Sequence, residues 1–314
     1  MDLPPQLRQL RDFYFQAVRS LPPERDFVHA ASLIERPAFF TLEHLRTSLN
    51  SPLLMPGYIA LYWQGKEVDC SKAVASKFIK QGTEIAFLNK GIIEEYLARG
   101  ASLVLEGLDI LDPSINALCA ALDSAHDCAF SNSVAFFSQR GNEAYRGHFD
   151  TQDVLAVHLA GEKKWVIHER QAPHLHDQND LPPEKMGRAQ AEIVMRPGDA
   201  LFMRAFVPHQ VQTTAEYSLH MSFDVCDRQV PLQAALGLVM EQYGRDATAC
   251  YAPPADVMQK AMAHASSEAF TRRLAQLQSD HKRSYQYARQ LLASNRVKAL
   301  DRWIAAEQAQ RSTT

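Results

Sequence analysis

The chain has 314 residues, 46% of them hydrophobic and 22% charged, enough to bury a sizeable core and to form one large domain or two ordinary ones. Its 33 basic and 36 acidic residues give a formal net charge of -3, which supplies no field for gripping a phosphate backbone, so nucleic acid is not an expected partner. The first twenty residues carry spaced charges and no apolar core of a signal peptide, no apolar run reaches bilayer length, and the five cysteines (Cys70, Cys119, Cys128, Cys226, Cys250) form no C-x-x-C pair; a cytoplasmic protein with reduced thiols and no membrane partner is expected.

Leu7, Leu10, Phe13, Tyr14 and Val18 recur at helical spacing, and Thr41-Leu-Glu-His reads as a capped helix start, so residues 1–50 are expected to form an N-terminal helical region. From Gly57 the texture changes to short apolar runs between charged and glycine-containing turns: YIALYW, TEIAFLN, ASLVLEG, SVAFFS, DVLAVHLAG, KKWVIHE, AEIVMRPG, DALFMRA, HQVQTT and YSLHMSFDV. Such runs read as strands, with Ser71 to Gln81 and Asp112 to Asp127 predicted helical between them. The fold class is therefore mainly β with flanking helices, and a jelly roll over residues 51–228 fits the pattern.

After Pro231 the spacing turns helical again, over Leu232 to Tyr243, Asp256 to Gln278 and His281 to Gln308, with a loop at Pro253-Pro254. The apolar stripes carrying Phe270, Leu274, Leu292, Trp303 and Ile304 exceed what a lone hairpin buries. Residues 229–314 are accordingly expected to pair two copies of the chain into a homodimer, packing on their own barrel being the alternative.

The chemistry concentrates in the middle. His148-Phe-Asp150 opens a strand pattern, and side chains two apart on a strand share a face, so both reach one cation. An H-x-D alone arises about once by chance in such a chain. A turn at Pro197-Gly198-Asp199, a strand at Ala200 to Met203 and then Pro208-His209 bring a third ligand, a second imidazole, from a later strand. Two imidazoles and one carboxylate on one face, with positions left open, suit non-heme Fe(II). In GEKKW, strand parity puts Lys163 and Trp165 on one face and Lys164 on the other, so one of the two lysines points inward. His174, His176 and Asp177 lie in a polar, proline-flanked stretch that reads as a solvated insertion or a lid.

Taken together, H-F-D, D-V-L-x-x-H-L-x-G-E-K-K-W, P-G-D-A-L-F-x(6)-H-Q and S-L-H-M-S-F resemble the JmjC/cupin oxygenases, most closely their ribosomal-oxygenase branch, over about Ser131 to Val225. The resemblance implies a double-stranded β-helix with His148, Asp150 and His209 as metal ligands and catalytic centre, and Fe(II), 2-oxoglutarate and O2 as cofactor and cosubstrates. It matches Lys163 to the cation that pairs with the distal carboxylate of 2-oxoglutarate, and Ser218 and Asn132, the latter across a gap, to the lining of the cosubstrate pocket. His158, His220 and Tyr145 are expected around these ligands, with Tyr145 or Ser133 standing where the family has a tyrosine. The implied reaction hydroxylates a C–H bond and releases succinate and CO2. The substrate it implies is a protein or peptide side chain, with a free amino acid or carrier-bound metabolite as the alternative, and Arg140, Arg146 and Arg204 lie where an acidic group of a substrate could be held. The helical reading of residues 229–314 implies a missing or reduced winged helix after the barrel, which weakens the ribosomal substrate more than the chemistry. A metal-binding cupin without catalysis, acting as an interaction module, is the alternative from another class.

Overall fold

The computed structural model of the chain describes residues 3–51, 54–64, 66–69, 74–80, 82–126, 129–141, 144–170, 181–227, 237, 254–293, 305 and 308. Helix α1 (Pro5–Ser20) forms where Leu7, Leu10, Tyr14 and Ala17 fall on one face, and that face is buried. Strand β1 (Phe27–Ala30) follows, then α2 (Leu42–Asn50), whose cap is reciprocal: Thr41 accepts from His44 backbone N–H while the His44 ring accepts from the Thr41 backbone. Next come β2 (Ile59–Trp63), β3 (Lys66–Glu67), β4 (Val74–Lys80), β5 (Thr83–Leu88), α3 (Lys90–Ala98), β6 (Ser102–Leu105), α4 (Leu108–Leu111), α5 (Pro113–Asp123) and β7 (Ala129–Gln139). The chain continues through β8 (Asp153–His168), β9 (Ala189–Met195), β10 (Ala200–Met203) and β11 (His209–Asp227) to α6 (Pro254–Ala265) and α7 (Glu268–Ala293).

Nine strands form one antiparallel sheet in the order β1-β10-β8-β11-β7-β6-β2-β3, with β9 also paired to β8. The four runs expected as separate strands, DVLAVHLAG with KKWVIHE and HQVQTT with YSLHMSFDV, are the halves of two long strands that pair with each other. Gly161 is where they bend. Its φ is +69°, and a Cβ there would lie 1.9 Å from the Tyr217 carbonyl oxygen, so only glycine lets the two backbones approach at this bulge. Beyond the bend β8 exchanges β10 for β9 as its second neighbour, and the sheet folds over on itself into the double-stranded β-helix.

Alternation along β8 then separates two cores. Leu155, Val157 and Leu159 join Leu7, Leu10, Ile115 and Leu118 beneath the helices. Val154, Ala156, Trp165 and Ile167 face the barrel interior with Met195, Leu201 and Met203.

Several expectations need correction. Ser71 to Gln81 is not helical: its described part is β4, which pairs with β5 around Gly82 (φ +72°), and the register Val74↔Leu88 shows cross-strand pairing deciding a sequence whose apolar spacing fits either period. β1 lies within the stretch read as helices and connectors, yet it extends the sheet by pairing with β10. Helix α3 was not anticipated; Asn89 caps it by accepting from Gly91 N–H. At the C-terminus the break expected between Gln278 and His281 is absent, because α7 is continuous and the interruption falls at Ser266-Ser267, where the Ser267 hydroxyl accepts from Phe270 N–H at 3.2 Å. The helix expected over Leu232 to Tyr243 lies outside the described residues except for Gly237, and Trp303 and Ile304 lie outside them too. Among the described residues no helix is long and apolar enough to cross a membrane.

Candidate metal centre

His148 precedes β8 and His209 opens β11, and the two backbones pair as a single antiparallel bridge, with His148 N–H donating to His209 O at 3.1 Å and His209 N–H to His148 O at 2.8 Å. The bridge brings the imidazole centroids to 4.3 Å. Asp150 follows two residues on and is fixed through its carbonyl, which accepts from Phe206 N–H at 2.7 Å. Its carboxylate oxygens lie 3.9 Å from His148 Nε2 and 3.7 Å from His209 Nε2, and the three candidate ligand atoms lie within 4.8 Å of one another.

The proton positions follow from the partners. His148 Nδ1 lies 2.8 Å from Arg146 O and His209 Nδ1 lies 3.0 Å from Val207 O. A carbonyl only accepts, so each Nδ1 carries a hydrogen and, in the neutral ring, each Nε2 presents its lone pair toward Asp150. Burial, followed by the neighbouring His148, lowers the His209 pKa to about 4, which keeps that ring neutral. Two imidazole nitrogens and one carboxylate oxygen converging on one point fit a divalent transition metal.

These residues line a cavity of about 320 Å³. Lys163, 4% exposed, stands on its wall with Nζ 3.3 Å from Ser138 Oγ and 3.1 Å from His220 Nδ1. Burial, then the Lys163 charge, holds His220 well below the ordinary histidine range, so its neutral Nδ1 accepts from the ammonium. Trp165 stacks on His209 at 5.6 Å and 19°, and Phe136 stacks on His220 at 4.7 Å and 7°. Lys164 points to the other face of the strand and pairs with Glu192 at 3.6 Å.

The other expected residues scatter. Tyr145 lines the cavity, its ring 5.4 Å from that of His148, and burial followed by its hydrogen bond with Tyr62 pushes its hydroxyl upward. His158 is fully buried in β8, kept neutral by burial and then by Lys163. Ser218 is bonded to Thr213 Oγ1 at 2.9 Å and is not among the lining residues; nor is Asn132, which sits opposite Asp224 on the β7–β11 ladder. Ser133 faces the helices, its hydroxyl accepting from Asp109 N–H at 2.7 Å. Of the arginines, Arg140 reaches Ala215 O and Arg204 reaches Leu21 O, while Arg146 lines a separate groove with Lys164, Gln210 and Gln212. None of the three lines the cavity. His174, His176 and Asp177 lie outside the described residues.

Sequence reasoning missed Ser138 and the acidic side of the cavity. Asp224 and Glu106 line it together with Tyr62 and Tyr145. Burial, then Asp150 and Glu106, raise the Asp224 pKa to about 8, and burial raises that of Glu106. The signal for Asp224 was available, since it follows His220 and Ser222 at period two on the last strand. Glu106 had none, because it follows β6 in a loop.

Comparison with known proteins agrees with this geometry. Residues 111–231 match the JmjC domain. Among curated proteins the chain is similar to mouse (Mus musculus) ribosomal oxygenase 2, 24% identical over 101 residues, covering 31% of this chain and 22% of that protein. It is also similar to the bifunctional lysine-specific demethylase and histidyl-hydroxylase NO66 of Dictyostelium discoideum, 21% identical over 141 residues, covering 42% of this chain and 26% of that one. The chain thus spans about a quarter or less of the length of these relatives. Among solved structures, Escherichia coli ycfD superposes with a TM-score of 0.54 at 16% identity, covering 81% of this chain and 68% of that one. The E. coli ribosomal oxygenase YcfD in complex with cobalt and 2-oxoglutarate gives a TM-score of 0.53 at 13% identity, covering 82% and 68%.

Proposed function

The chain carries a JmjC domain on a cupin-type double-stranded β-helix, and from that premise we propose that it is an Fe(II)- and 2-oxoglutarate-dependent oxygenase that hydroxylates a C–H bond of a protein or peptide side chain. The observation that carries the reading is the pairing, in one cavity, of three converging ligand atoms with a buried lysine. His148, Asp150 and His209 would hold the metal, whose chemistry when bound is the activation of O2 at the expense of 2-oxoglutarate, yielding succinate and CO2.

The protein's own residues do the rest. Lys163 binds the distal carboxylate, and Ser138 and His220 hold its ammonium in place. Trp165 packs on His209 and keeps that ligand's ring oriented. Val134, Phe136 and Val211 help exclude water. The side of the cavity built from Asp224, Glu106, Tyr62 and Tyr145 receives the substrate, and its carboxyl and hydroxyl groups favour a polar group that forms hydrogen bonds. A protein substrate is preferred because the relatives are described as acting on protein residues. Residues 51–228 are the catalytic unit in this reading, and residues 229–314 pair two chains of a cytoplasmic enzyme.

Succinate formation from 2-oxoglutarate, assayed with Fe(II) in air, tests the proposal. Turnover by the full chain that is lost in Asp150→Ala supports it. Metal binding without any consumption of 2-oxoglutarate points instead to a binding cupin, and turnover stimulated by a free amino acid and by no peptide favours the small-molecule alternative. Light scattering reports the dimer, which a monomeric full chain would contradict.

A further inference from the structure

Helix α7 meets the barrel through a charged side chain. Arg289 is 5% exposed, while Tyr287 and Leu291 beside it are 63% and 52% exposed. Its Nη1 donates to Asp109 Oδ2 at 2.7 Å, Nε to Asp123 Oδ2 at 3.2 Å and Nη2 to Ser131 O at 2.5 Å, and the guanidinium carbon lies 4.6 Å from the centre of the Phe130 ring. Three separate partners in one fork is a geometry that arginine supplies and lysine does not.

The two carboxylates hold β7 in turn. Asp123 accepts from Ser131 N–H at 2.6 Å and from Ser131 Oγ at 2.7 Å. Asp109 accepts from Ser133 Oγ at 3.0 Å, and its backbone N–H donates back to the same hydroxyl at 2.7 Å. Ser131 and Ser133 occupy the helix-facing side of β7. The residues alternating with them, Val134 and Phe136, line the cavity, and Ser138 contacts Lys163. The strand is thus gripped on one face and forms the pocket with the other. Burial pushes Asp123 upward even with Arg289 present, so removal of the guanidinium leaves two carboxylates in a poorly solvated place with no compensating cation from α7.

We propose that Arg289 is a positioning residue of the cosubstrate pocket: by gripping Asp109 and Asp123 beneath β7, it couples the C-terminal helix to the strand face that carries Phe136 and Ser138. The pocket's identity rests on the function proposed above; the bracing of β7 does not.

The test compares the full-length wild-type chain with Arg289→Ala by hydrogen exchange across residues 129–139 and by titration of Mn(II) and then 2-oxoglutarate. We expect β7 amides to exchange about tenfold faster and 2-oxoglutarate to bind about tenfold more weakly, with Mn(II) affinity unchanged within about twofold. Arg289→Lys keeps the charge and one partner, and should recover part of both effects; it carries the same measurements if the alanine variant does not fold. Unchanged exchange in β7 overturns the brace. Faster exchange with unaltered 2-oxoglutarate affinity overturns the coupling to the pocket, as does an equal loss of metal and cosubstrate binding, which marks general destabilisation. Should the wild type bind no 2-oxoglutarate, it is the functional reading that fails; the pocket coupling falls with it, and the exchange data still decide the brace.

Discussion

Replacing Lys163 with alanine removes a buried ammonium that contacts Ser138 Oγ and His220 Nδ1. Deleting one partner of a desolvated charge pair costs about 2–5 kcal/mol. The cavity is partly open to solvent and a water would reach the space vacated, so the low end applies, about 2–3 kcal/mol, or roughly 30- to 150-fold in affinity for 2-oxoglutarate. Lys164 is the internal control. It sits on the opposite face in a partly exposed pair with Glu192, and its loss should cost less than about 1 kcal/mol. Titrating 2-oxoglutarate into Mn(II)-loaded Lys163→Ala and Lys164→Ala proteins separates the two. A loss from Lys164→Ala equal to or greater than that from Lys163→Ala would refute the assignment of the cosubstrate carboxylate to the inward face of β8.

At Gly161, alanine must adopt φ +69° and place its Cβ 1.9 Å from the Tyr217 carbonyl; we expect a loss of about 2–4 kcal/mol, read as a lower urea midpoint at unchanged slope. Cys119 is fully buried, and burial followed by Asp109 raises its thiol from 9.0 to about 12. A raised folded-state pKa means that the contribution is fully present below the unfolded value and lost as pH climbs through the folded one, so the stability advantage of wild type over Cys119→Ala should narrow between pH 9.0 and about 12. Urea unfolding of both chains at pH 7 and near pH 11 checks this, and a gap that widens with pH would contradict it.

The parts of the fold that the sequence revealed are those where a local pattern and the final contacts agree. Helix α1 was legible because Leu7, Leu10 and Tyr14 are both its helical stripe and its buried face. The barrel strands were legible from alternation, and the same alternation separated Lys163 from Lys164. What stayed hidden depends on partners distant in the chain. β1 has four residues and exists because β10 lies alongside; Ser71 to Gln81 has spacing compatible with a helix until β5 pairs with its described part. The same holds at the site. His148 and His209 were identifiable from motif context, whereas Ser138 matters only because β7 runs opposite Lys163, and Glu106 only because the end of β6 reaches the cavity. Arg289 was invisible in this sense, one more basic residue on an amphipathic helix until Asp109 and Asp123 are placed against it.

Metal stoichiometry tests the central claim most directly. Anaerobic titration with Fe(II), or with Mn(II) in air, should give one ion per wild-type chain and none in His148→Ala, Asp150→Ala or His209→Ala, each variant keeping the wild-type circular dichroism spectrum. A folded variant that still binds one ion with wild-type affinity would show that these three side chains are not the ligands.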